Sequence, residues 1–161
     1  MLQSDPVTER GIFTCSSCGA SVFGGIDGCH KLFEDILTLE YSDPDYGAVH
    51  LLSVDAYVLQ HSESHGPRSN AFHLIRLGWL LEKNGDPRIG RGGSRLKSVL
   101  QGYRSFPFLP PPENRGEITV AEVVGAAGSE EHAQRVRRWA RSVWQTWKVH
   151  HEWARKWIGR L

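Results

Sequence analysis

Apolar residues recur at near-helical spacing through most of the chain. Leu32, Phe33, Ile36, Leu37 and Leu39 predict a helix from Cys29 to about Tyr41, and Ser42-Asp43-Pro44-Asp45 stops it. Val49, Leu52, Ala56 and Leu59 predict a second helix from Tyr46 to about His61, with Val54, Tyr57 and Val58 broadening its buried face. Gly66-Pro67 interrupts. A third helix, Ser69 to about Lys83, carries apolar residues on most sides and ends at Asn84-Gly85-Asp86-Pro87. Leu96 to Tyr103 has room for a short helix. Phe106 to Pro112 is too rich in proline to be helical and is expected to lie extended against the surface.

Thr119-Val120-Ala121-Glu122 has the spacing of a capping box and opens a short helix ending near Gly125 or Gly128. The last element, Ser129 to Ile158, reads as one helix roughly 45 Å long. Its stripe is Val136, Ala140, Val143, Trp144, Trp147, His151, Ala154 and Ile158. Residues 13–28 show neither period and read as a knuckle-like loop. The expected fold is therefore mainly α: a helical bundle with an N-terminal zinc-knuckle loop and little or no sheet. Residues 1–12 read as a loose tail and 13–161 as one domain.

Composition narrows the class. With 161 residues, 40% hydrophobic and 23% charged, the chain suits an ordinary globular domain. No apolar run approaches the ~20 residues of a bilayer span, and the start lacks the order of a signal peptide, so no membrane is expected and the location reads as cytoplasmic. The net charge of +1 hides an asymmetry: residues 1–60 carry two basic side chains against nine acidic, and the remainder 17 against nine. The simplest account is attraction between the halves within the fold. A basic face for an acidic partner is the alternative.

The three cysteines carry the most specific chemistry. Cys15-x-x-Cys18-Gly19 has knuckle form: two thiolates three residues apart chelate one ion, and the glycine permits the tight turn. Cys29 is the natural third ligand. For the fourth, neighbouring His30 diverges by ~100° on a helix. If the first two helices fold back about residues 43–44, residue 29 lies opposite about 58, within reach of His61. His73 is the runner-up, His65 a weaker choice, and His50 falls too deep along the hairpin. Cys15, Cys18, Cys29 and His61 are the expected zinc ligands. A redox pair is disfavoured, because no strand leads into the CxxC.

The pattern Cys15-x-x-Cys18-Gly19-Ala20, Asp27-Gly28-Cys29, Val49-His50, Val54-Asp55-Ala56-Tyr57 and Gln60-His61 resembles a bacterial family known as a domain of unknown function. Leu109-Pro110-Pro111, Arg115-Gly116 and the Trp-rich close are similar too, so the resemblance runs from about 13 to 157. It implies a complete protein of its type and supplies no catalytic residues.

Three functions fit these residues. The first is an interaction or regulatory module with a structural zinc, meeting a protein partner or a second copy through the C-terminal helix. The second is a metal-dependent enzyme using His50 with other bundle histidines. The third is nucleic-acid binding by the last helix, where eight basic side chains between Arg135 and Leu161 face one acid, Glu152, and are interleaved with Trp139, Trp153 and Trp157. No GxSxG is present, and Gly90-Arg91-Gly92-Gly93-Ser94 lacks the lysine of a phosphate loop.

Overall fold

A computed structural model describes residues 11–91 and 93–161. Strands β1 (Ile12–Thr14) and β2 (Ser21–Phe23) pair antiparallel, Ile12 opposite Phe23 and Thr14 opposite Ser21. Seven α-helices follow among the described residues: α1 (Gly25–Ser42), α2 (His50–Gln60), α3 (Pro67–Glu82), α4 (Ser94–Gln101), α5 (Val120–Val123), α6 (Ser129–Thr146) and α7 (His151–Ile158). The fold is mainly α, as the periodicity implies, with one small hairpin at its front. Of the expected tail, residues 1–10 lie outside the described residues, and Ile12 already belongs to β1.

Helix α2 is the central element. All its residues except Val54 are buried, and it packs against α3 on one side and α6 on the other. This explains why its apolar stripe looked too wide for a surface helix. Helix α1 buries Cys29, Phe33, Ile36 and Glu40 along one face. It begins four residues before the expected start, because Gly24 and Gly25, with φ of +83° and +60°, turn the chain out of β2 and straight into the helix. Pro67 occupies the first turn of α3, where its missing N–H costs nothing. The capping box of α5 forms: Thr119 Oγ1 accepts from the Ala121 N–H, and the Thr119 N–H donates to Glu122 at 2.6 Å.

The single closing helix does not exist. It breaks at Trp147, a 3₁₀ turn spans Lys148–His150, and α7 packs onto α3. Side chains supply the hydrogen bonds that the break removes. Thr146 Oγ1 donates to the Val143 carbonyl, and the His151 ring donates to the Trp144 carbonyl at 2.8 Å while stacking on Trp144. The apolar stripe resumes in α7, so periodicity conceals the interruption.

Charge does not knit the halves together as expected. Among the described residues, only Arg76–Asp55 joins a lysine or arginine and a carboxylate across residue 60. The other contacts of that kind are made by histidine, and the most buried is at Glu40. Its carboxylate accepts from Ser53 Oγ at 2.5 Å, His50 Nδ1 at 2.9 Å and His132 Nε2 at 2.9 Å. Burial alone would push the Glu40 carboxyl up, but the bonds from His132, His50 and Ser53 outweigh it and hold it below the ordinary value. A depressed native pKa stabilises the fold above the ordinary carboxylate range, and that contribution drains away as pH falls through the native value. Glu40→Gln is expected to cost about 1–3 kcal/mol at pH 7. In urea unfolding at pH 7 and pH 4, the gap between wild type and variant should narrow at the lower pH. A gap independent of pH would rule out this role.

Candidate metal centre

The knuckle is a tight turn at the tip of the hairpin, and β1 leads directly into Cys15, so the expected absence of a strand before the CxxC does not hold and no longer counts against a redox pair. The Cys15 N–H donates to the Ala20 carbonyl at 2.7 Å, and the Gly19 N–H to the Cys15 carbonyl at 2.9 Å. Gly19 takes φ +81°, a conformation that penalises a Cβ. This brings the Cys15 and Cys18 sulfurs to one side of the turn. Cys29 arrives from the second turn of α1, and His61 from the residue that caps α2.

The four donor atoms lie within 4.8 Å of one another. Cys18 Sγ is 3.6 Å from Cys29 Sγ, and His61 Nε2 is 3.6 Å from Cys15 Sγ and 3.5 Å from Cys29 Sγ. A tetrahedral zinc with ordinary bond lengths would set sulfur–sulfur edges near about 3.8 Å and sulfur–nitrogen edges near about 3.6 Å. Those three edges match that size, and the remaining donor pairs lie within 4.8 Å. All four residues are sealed, at 1%, 5%, 0% and 4% exposed for Cys15, Cys18, Cys29 and His61.

The surroundings fit the same purpose. His61 Nδ1 donates to the Tyr57 carbonyl at 2.8 Å, which leaves the Nε2 lone pair facing the sulfurs. Tyr57 stacks between Phe33, at 3.8 Å, and the His61 ring, at 4.0 Å, which fixes the imidazole plane. The hydrogen bond with Cys29 lowers the Cys18 thiol to about 4 against the opposing effect of burial, with His61 and the Ala20 N–H assisting. The same bond, then burial, pushes Cys29 up. An ion entering here displaces protons, so its affinity falls in acid.

The remaining histidines serve elsewhere. His73, the runner-up ligand, sits on Asp55 at 2.7 Å. His50 is buried on Glu40 and stands apart from the cysteines. His50, the residue on which the enzyme reading rests, is 4% exposed and paired with Glu40, which lines a cavity of about 320 Å³. His150 meets the Pro110 carbonyl, and His151 the Trp144 carbonyl. The Glu40 pairing with His50 and His132 escaped the sequence reading, since no spacing links residues so far apart.

The interleaved tryptophans are also largely committed. Trp139 is fully buried, with its indole N–H on Gln60 Oε1 at 2.9 Å. Trp153 and Trp157 are half-buried against each other, and Tyr103 and Phe106 pack on Trp157. Arg137, Arg138 and Arg141 remain exposed.

A family model described as a family of unknown function, DUF5946, matches residues 13–148. The chain belongs to that family. The DUF5946 match takes in all four cage residues and both strands apart from Ile12, and stops before α7, short of the 157 suggested by the sequence resemblance. No curated protein and no solved structure matches the chain.

Proposed function

We propose that Cys15, Cys18, Cys29 and His61 hold one structural zinc ion, and that the protein is an interaction or regulatory module whose N-terminal hairpin is fixed by that ion. The observation that carries this reading is the closed, fully buried cage of four protein donors. A site with no position left for water or substrate suits a structural metal and not a catalytic one. Three thiols and an imidazole favour zinc over hard cations such as magnesium or calcium. The ion ties together three separate pieces of chain: the knuckle, α1 and the end of α2.

The hairpin presents its surface outward. Ile12 and Phe23, opposite each other in register, are 74% and 58% exposed, and an open groove of about 670 Å³ runs between the knuckle and residues 113–122. This exposed cross-strand pair is the surface that the reading assigns to a partner. The nucleic-acid alternative keeps its arginines but has lost Trp139 as a stacking platform.

Metal analysis of the purified chain tests the centre. One zinc per chain is expected in the wild type, and Cys18→Ser and His61→Ala should each retain well under half an equivalent. Full occupancy in both variants would reject the assignment.

A further inference from the structure

We infer that His65 and His73 form a second metal site, open to solvent, that takes one borderline divalent ion such as zinc, nickel or cobalt. Three observations converge on it: a fixed imidazole, a neighbouring imidazole free to turn toward it, and a buried carboxylate behind the first.

His73 is fixed by Asp55. The Asp55 carboxylate is sealed in the core and gripped by Arg76, through Nε at 3.1 and 3.0 Å and Nη2 at 2.6 Å. It faces His73 Nδ1 at 2.7 Å. A carboxylate so held only accepts, so Nδ1 carries the proton and Nε2 presents its lone pair away from Asp55. This is the carboxylate-to-histidine orientation that fixes metal-ligating imidazoles. The His73 side chain is 15% exposed, and its Nε2 has no hydrogen-bond partner among the described residues.

His65 stands just before α3. Its ring centroid lies 6.4 Å from that of His73, with the planes inclined at 56°. Two imidazoles sharing an ion at ordinary bond lengths place their centroids about 5–6.4 Å apart, from the tetrahedral to the linear arrangement. A movement of about 1 Å by His65 closes the tetrahedral case. No side-chain hydrogen bond restrains its ring among the described residues. Its backbone is held, because Asn70 Nδ2 donates to the Ser62 carbonyl at 2.9 Å and to the His65 carbonyl at 3.4 Å.

Imidazole pairs suit borderline divalent ions, and water takes the remaining positions. The site therefore differs in kind from the cysteine cage. Arg76 shares the charge of Asp55, so binding is weaker than in the cage.

Cobalt titration of the full chain separates the two centres. The first equivalent is expected to bring near-ultraviolet sulfur-to-cobalt charge transfer, and the second only weak visible bands. His73→Gln, which keeps an N–H for Asp55, and His65→Ala should each weaken the second equivalent by about tenfold or more, leaving the charge-transfer band intact. A wild-type titration that ends at one equivalent overturns the proposal. So does a second equivalent that persists in both variants with unchanged affinity. A histidine-dependent equivalent without any charge-transfer band would support this site and overturn the cysteine centre.

Discussion

Cys29→Ser, or treatment of the wild type with a strong chelator, is expected to lower the melting temperature by at least about 10–20 °C, with the hairpin lost first. Each strand is three residues long, too short for a two-stranded unit to persist in water alone. The hairpin packs on α1, and the proposed metal cage would supply the rest of its anchorage. Structural zinc contributes about 10–16 kcal/mol in small metal-bound units, comparable with the whole stability of a typical domain at about 5–15 kcal/mol. Losing about 5 kcal/mol of that already produces the stated shift. Cys29 should be the most damaging of the three cysteines, because it joins the ion to α1 and through α1 to the bundle. Circular-dichroism melts with and without chelator, combined with amide exchange over residues 12–23, are the measurement. Melting and protection that stay unchanged after the metal is removed would leave no structural role for it.

Gly28→Ala should lower stability by about 3 kcal/mol, although alanine ordinarily improves a helix interior over glycine by about 1 kcal/mol. A Cβ at residue 28 would lie 1.7 Å from the Phe23 carbonyl oxygen and 2.8 Å from its carbon. Both are backbone atoms, and no rotamer change can move them aside. Relief requires α1 to retreat from β2, and Cys29 is the next residue along. Zinc affinity should therefore fall together with stability, by about tenfold or more. Gly102→Ala is the control, since its Cβ would meet nothing within 4 Å and its φ of −71° suits alanine. Urea unfolding and zinc competition against a chelating dye read the two effects. Equal stability of Gly28→Ala and wild type would show that helix and hairpin do not approach this closely.

The fold was legible where burial is one-sided or chain-breaking residues are strong. Pro44, Gly66-Pro67 and Asn84-Gly85 separate the first three helices close to where they actually end. The cage was legible because its logic is local twice over. The CxxCG turn is a self-contained unit, and two helices folded back about residues 43–44 place residue 29 opposite about 58, within reach of His61. The Phe33–Tyr57 stack shows that juxtaposition directly.

What stayed hidden depends on tertiary context. Strands of three residues cannot display alternation, so β1 and β2 passed as loop. Trp147 holds its place in the apolar stripe, so nothing in the periodicity signals that α6 stops there. Glu40 and Asp55 are acidic residues inside helices, which ordinarily face water. Their burial is secured by histidines and an arginine from distant segments, and no spacing rule couples those positions.

Gln60 gives this architecture a built-in optical gauge. Its amide donates to the Arg115 and Ile118 carbonyls at 2.7 and 2.9 Å and accepts from the Trp139 indole, one residue away from a cage ligand. Any slackening at the end of α2 reaches that indole through a single side chain. If the proposed ion is bound, the Trp139 contribution to the emission of the six tryptophans should redden as the ion leaves, and Trp139→Phe should abolish that change.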